Sequence, residues 1–250
     1  MKNAYFAALL AISFGSAAFA QIDSEAKKIV TRAIEVHGGM EVHKKYPVRE
    51  ISFDGTWSLK NGESLKIKSV SAFALPDKSR NVMELVDRKS TVEVIVNGDK
   101  FKQVINGKVE ELKSDALKQE YLQSVAINDV TQFHTLLDGE AYKVKLAPLE
   151  TVGTKDCETI LVTKKGMKDL KMNFDKSSGK LIRYSYKTID PFDTKKEVDQ
   201  ETIQSEFKEF SGLLLPTEVV LKQAGKETMK LKVIDVKLLE KADPKAYKVD

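Results

Sequence analysis

Residues 51–75, ISFDGTWSLKNGESLKIKSVSAFAL, decide the fold class. Ile51, Phe53, Gly55, Trp57 and Leu59 alternate with Ser52, Asp54, Thr56 and Ser58, a period of two that marks a strand with one buried face. Asn61-Gly62 supplies the residues of a tight hairpin turn, and Leu65 to Leu75 returns as the partner strand. After a turn at Pro76-Asp77, Val82 to Val86, Thr91 to Val96 and Phe101 to Ile105 read as shorter strands, with Asn97-Gly98 and Asn106-Gly107 as the later turns. Connections this short leave only antiparallel neighbours, so the segment is a meander.

The alternation stops at Ser114. Leu117, Tyr121, Leu122 and Val125 fall at helical spacing, and Asn128 is read as the cap of a second helix that ends at Gly139. Strands then resume over Tyr142 to Glu150, Cys157 to Lys164, Leu170 to Phe174 and Leu181 to Thr188. The polar stretch Asp193 to Gln200 reads as a mobile loop, and Ile203 to Phe210, Thr217 to Gln223 and Thr228 to Leu239 complete about twelve strands. Upstream, Ser24 opens a helix carrying Ile29, Val30, Ala33 and Ile34, which Gly38-Gly39 ends; a short turn from Met40 runs to Pro47.

The first twenty residues have a different character. Lys2, an apolar run from Ala4 to Phe14 and the small-x-small triplet Ala18-Phe19-Ala20 have the form of a secretory signal peptide cleaved after Ala20. No cysteine follows that site and no Arg pair precedes the run, which argues for unfolded export of a protein without a lipid anchor. A periplasmic location is expected, with residues 21–250 as a single domain. The chain of 250 residues holds 41 Lys+Arg against 37 Asp+Glu, a net +4, with 42% hydrophobic residues. That supply folds, and the weak mixed charge shows no basic stripe for nucleic acid. The lone Cys157 excludes an internal disulfide and reads as a buried strand residue.

Three segments carry a family resemblance: IVTRAIEVHGGMEVHKKYPVREISFDGTW (29–57), LKMNFDKSSGKLIRYSY (170–186) and GLLLPTEVVLKQAGKETMKLKVIDVKLL (212–239). Their succession of helix, Gly-Gly stop, first strand, Asp-x-x-x-Gly turn and Pro-led final strands resembles the LolA-like outer-membrane lipoprotein-sorting family. The resemblance implies a mainly β, α+β fold: a curved antiparallel sheet forming an incomplete β-barrel, with helices covering its concave face. It also implies an apolar cavity between them that holds acyl chains.

The residues themselves support a cavity independently, because about twelve strands face only a few short helices. Ile51, Phe53, Trp57, Leu65, Ile67, Phe73, Phe101, Met172 and Phe174 are candidate inward residues, with Met83 as an adaptable filler. Lys164, Lys165, Lys168 and Lys171 cluster at one hairpin, either as a solvated edge or as a docking patch for anionic headgroups or an acidic partner. His37 and His43 lie six apart across a Gly-Gly break, a spacing unlike a metal pair, and His37 and His134 read as cations favoured near helix C-termini. No G-x-S-x-G, phosphate loop or activated nucleophile occurs, so neither an enzyme nor a cofactor is expected. Two functions remain open. One is a carrier of lipid or lipidated peptide with transient membrane contact. The other is an interaction or stress-sensor module for an inner- or outer-membrane envelope protein.

Overall fold

The structure, a computed structural model, describes residues 22–137, 141–190 and 193–250. The segment read as a signal peptide, residues 1–20, and the positions Gly139 and Pro191 lie outside them.

The chain enters through Ile22, which bridges Val144, and Asp23, whose carboxylate accepts from the Leu146 amide at 2.9 Å. Helix α1 (Ser24–Val36) follows, burying Ala26, Ile29, Val30, Ala33 and Ile34 along one stripe. Gly38 ends it with φ 124° and lets the chain touch the sheet: a Cβ there would sit 2.4 Å from the Gly212 carbonyl oxygen. Helix α2 (Met40–Lys45) leads into the first strand.

Six strands form the first meander: β1 (Val48–Ser58), β2 (Ser64–Ala74), β3 (Lys78–Leu85), β4 (Ser90–Asn97), β5 (Lys100–Ile105) and β6 (Lys108–Glu110). Helix α3 (Asp115–Val130) comes next, capped by Ser114, whose hydroxyl accepts from the Leu117 amide at 3.2 Å. Seven strands form the second meander: β7 (Lys143–Val152), β8 (Lys155–Thr163), β9 (Leu170–Asp175), β10 (Leu181–Asp190), β11 (Asp193–Phe210), β12 (Leu213–Gln223) and β13 (Lys226–Leu239). All belong to one antiparallel sheet in the order β6-β5-β4-β3-β2-β1-β13-β12-β11-β10-β9-β8-β7, which does not close into a barrel.

Three sequence expectations are corrected. The polar stretch from Asp193 is no loop: it is the first half of the long β11, paired with β10 from Arg183↔Ile203 to Ile189↔Glu197. Cross-strand charge pairs make its polarity compatible with a sheet; Lys187 meets Asp199 at 2.7 Å. Asn128 caps nothing, because α3 runs through it and its amide donates to the Ser124 carbonyl at 2.8 Å. The short β6 was not anticipated, its three residues carrying no readable period.

The helices cover the concave face unevenly. α1 packs over the β7–β10 side in a core with Ile160, Leu170, Met172, Phe174 and Leu181. α3 lies across the mouth: Tyr121, Leu122 and Val125 pack on Val94 and Val96 of β4, while Glu120 accepts from Thr188 (2.6 Å) and the Ile189 amide (3.2 Å) on β10. On the convex face, Tyr247 and neighbours of the C-terminal segment cover Val48, Ala74 and Ile95.

The junction of β1 with β13 is tight. A Cβ at Gly55 would lie 2.2 Å from the Lys230 carbonyl oxygen. Gly55→Ala is therefore expected to destabilise the protein by roughly 2 kcal/mol or more, because two central strands must part. Urea unfolding checks this; an unchanged midpoint would show that the junction has slack.

Candidate ligand-binding cavity

Directly opposed residues of antiparallel strands point to the same face, so the register maps the concave surface. One row runs Leu65–Trp57–Met229–Leu221–Thr202–Tyr184–Met172–Ile160, from β2 to β8. Two more, nearer the start of β1, pair Phe53 with Val233 and Ile51 with Val236. A bulge in β13 sets its parity: the register slips between Ser52 and Phe53, leaving Ile234 as the extra residue, 58% exposed.

Between α1 and α3 a cavity of about 310 Å³ opens on the central strands. Its apolar wall is Ile51, Phe53, Phe73, Val219, Leu221, Leu231, Val233 and Val236. Its polar groups are Tyr184, Tyr186, Gln200, Thr202 and Gln204 from β10 and β11, Asn128, Thr131 and Gln132 at the end of α3, and His37, His43 and Arg49 at the α2–β1 end. The volume falls at the lower end of the range for small-ligand pockets.

The apolar residues singled out from the sequence all lie on the concave face, but the structure divides them. Ile51, Phe53 and Phe73 line the cavity. Trp57, Leu65, Ile67 and Met83 share that face outside the cavity lining, with Leu65 and Ile67 buried. Phe101 packs under α3 with Val94 and Val96. Met172 and Phe174 are fully buried beneath α1 as ordinary core. The strands β12 and β13 supply more than half of the apolar wall. Their alternation of Met229, Leu231 and Val233 with Lys230 and Lys232 was a readable signal of an inward face, though not of where it would sit.

The four lysines do not form one free basic surface. Lys164 lies over the Tyr142 ring at 4.9 Å. Lys168 is bonded to Glu197, and Lys171 turns to the convex face to meet Glu150 at 2.6 Å. Lys165 is exposed.

The histidines depart most from their sequence reading. His37 is buried, donating through Nδ1 to the Ala33 carbonyl at 2.8 Å; burial, then the Arg49 and Lys180 charges, pull it down to about 4. It is neutral and no helix-end cation. His43 is drawn down to about 3 by burial first and then by Arg49, His134 and His37; a weak pull from the His37 carbonyl, outside hydrogen-bonding geometry, does not offset this. Arg49 Nη2 donates to His43 Nδ1 at 3.0 Å. Arginine has no acceptor, so His43 carries its own proton on Nε2. Arg49 is itself 7% exposed, and burial lowers it to about 10, leaving it charged at neutral pH. Cys157 is fully buried on β8, where burial pushes its thiol up. Among the described residues no group of three or more His, Cys, Asp or Glu is placed to hold a metal ion.

The sheet and its helices form an open half-barrel with a part-apolar cavity. Neither a protein-family model nor a curated protein sequence matches the chain. Solved structures do. A LolA superfamily protein from Nitrosomonas europaea superposes with a TM-score of 0.59 at 12% identity, covering 89% of this chain and 97% of the other. A domain assigned to outer membrane lipoprotein sorting from Vibrio parahaemolyticus gives 0.54 at 9%, with the same coverage of each chain. A DUF1329 family protein from Desulfovibrio piger gives 0.53 at 11%, covering 85% and 92%. The chain thus has the LolA-like fold, and the resemblance read from its sequence holds at the level of fold.

The buried histidines set an acid response. Their folded pKa values lie below the unfolded value of 6.5, so the unfolded chain binds more protons between about pH 3 and pH 6.5. Their contribution is complete above pH 6.5 and is lost as pH falls through that window. Stability is expected to drop by about 1 kcal/mol or more between pH 7 and pH 4.5, and His43→Asn, which keeps an acceptor for Arg49, should flatten the slope. Urea midpoints across that range check this; an equal slope in the variant would assign the loss elsewhere.

Proposed function

We propose that this protein is a periplasmic, non-enzymatic carrier that shields the acyl chain of a lipid or lipidated peptide in the concave cavity. The observation that carries this reading is the state of the central wall. Ile51, Phe53, Val219, Leu221, Leu231 and Val233 are only half-buried and face the cavity, while the flanking strands of the same sheet are packed dry beneath α1 and α3. Burying an acyl chain there supplies about 0.8 kcal/mol per methylene, so even a partly enclosed chain is held against release into water. Delivery then needs a membrane or an envelope protein that offers the chain an equally apolar place. The signal-like leader supports a periplasmic setting. The sorting domain from Vibrio parahaemolyticus shows that the same fold occurs in a protein assigned to lipoprotein sorting.

The test is direct. Protein purified without detergent is expected to yield lipid in an organic extract by mass spectrometry, and the delipidated protein is expected to take up a fluorescent fatty acid. Phe53→Asp should lower uptake by about tenfold or more with the strand signal in circular dichroism intact. An empty extract together with no uptake by wild type would overturn the carrier reading in favour of a protein-interaction module.

A further inference from the structure

The cavity has a charged end that an acyl chain alone does not explain. Arg49 stands at the start of β1, opposite Phe73 and Leu238, and is buried on the concave face. Its one side-chain hydrogen bond goes to a neutral partner, His43, and among the described residues no carboxylate pairs with it. Among the described residues, Arg49 Nε and His43 Nε2 are buried donors without an acceptor. A guanidinium removed from water costs free energy that a carboxylate normally offsets, and each unpaired donor adds to that cost. The groups around it compound the feature. His37 and His43 stay neutral, so they add no positive charge, and they bring no negative charge either. Gln132 Oε1 is a buried acceptor without a partner in the same wall, suited to a hydroxyl or water beside a headgroup.

The apolar wall begins where the charge ends. From Arg49 the cavity face continues through Ile51 and Phe53 to the level of Gly55, opposite Leu231. At about 3.4 Å per residue this is roughly 20 Å, comparable to an extended long acyl chain. A cation at one end of an apolar trough matches an amphiphile with an anionic head and a single long tail.

We infer that Arg49, with His43 orienting it, is the headgroup site of the cavity, and that the ligand is an acyl lipid bearing an anionic carboxylate or phosphate. This rests on the carrier reading and adds to it a polarity: head at the α2–β1 end, tail along β1, β12 and β13.

Competition binding to the delipidated full chain tests it, using palmitate, hexadecyl phosphate, hexadecanol and inorganic phosphate. Wild type is expected to prefer at least one of the two anionic lipids over hexadecanol by about tenfold or more. Arg49→Met should collapse that preference towards unity, and Arg49→Lys should retain part of it. A purely structural role for Arg49 would change stability and leave the preference in place, which would overturn the inference. So would equal wild-type affinity for hexadecanol and both anionic lipids, an outcome that leaves the carrier reading standing. Inorganic phosphate competing as well as hexadecyl phosphate would assign the site to a free anion and overturn it too. Wild type binding none of the lipids would overturn both readings. If Arg49→Met fails to fold, the wild-type comparison and Arg49→Lys decide.

Discussion

The pairing of β1 with β13 joins two halves that are otherwise built from neighbours in sequence. β1 to β6 form one run of hairpins and β7 to β13 another; only this junction makes them one sheet. Loop-closure entropy over nearly the whole meander must be met before this contact forms, so its tight fit at Gly55 matters to the entire fold. The junction also dictates where the helices go. With β1 and β13 at the centre, β6 and β7 become opposite edges, and the chain between them must cross the sheet. That crossing is α3, stretched from β4 to β10 over the concave face. The N-terminal segment starts beside β7 and must reach the central β1, so α1 and α2 cover the path between.

The cavity follows from those two paths. α1 covers one flank and α3 the other, leaving the central strands under α2 and the residues after α3. The difference between core and cavity is visible on a single row of the register. Met172 is fully buried beneath α1, whereas Leu221 and Trp57, further along the same row, are half-buried. Gln200, Thr202 and Gln204 on β11 face inward here, and the sheet itself supplies partners: Gln200 donates to the Tyr186 hydroxyl at 2.6 Å and accepts from the Gln223 amide at 3.0 Å.

Local features of this fold were legible in the sequence because they are local in origin. Asn61-Gly62 and the period of two around Phe53 specify a hairpin and its buried face whatever lies nearby, and the same logic placed Phe101 and Met172 on that face. Whether a given inward residue meets a helix or a void is decided by strand order and helix position, which periodicity does not encode. Phe53 and Phe174 look alike in sequence; only the placement of α1 makes one core and the other wall. The stretch from Asp193 was misread because its charges lower strand propensity while the β10 partner restores it. Arg49 and the neutral histidines were invisible for a related reason. An Arg at a strand entrance and a His at a helix end normally reach solvent; here the Phe133 ring lies against both His37 and His43, Leu214 of β12 donates its amide to the His37 carbonyl, and Arg49 is buried beside them.

Burying Arg49 among neutral partners is a poor solution for stability, since apolar residues of similar volume would pack there without a desolvation cost. The half-buried central wall is a second such concession, as each unburied apolar side chain forgoes part of its transfer free energy. Both concessions fall on the same cavity, while the flanking cores beneath α1 and α3 are packed normally. Their coincidence is informative. Scattered imperfections would speak of a marginal fold, whereas a buried Arg49 without a carboxylate partner adjoining a half-buried apolar wall is the pairing that the proposed ligand, anionic at one end and apolar along its length, would complement. A ligand of the proposed kind would bind only the folded state, so its free energy of binding would return to the protein the stability that its cavity forgoes.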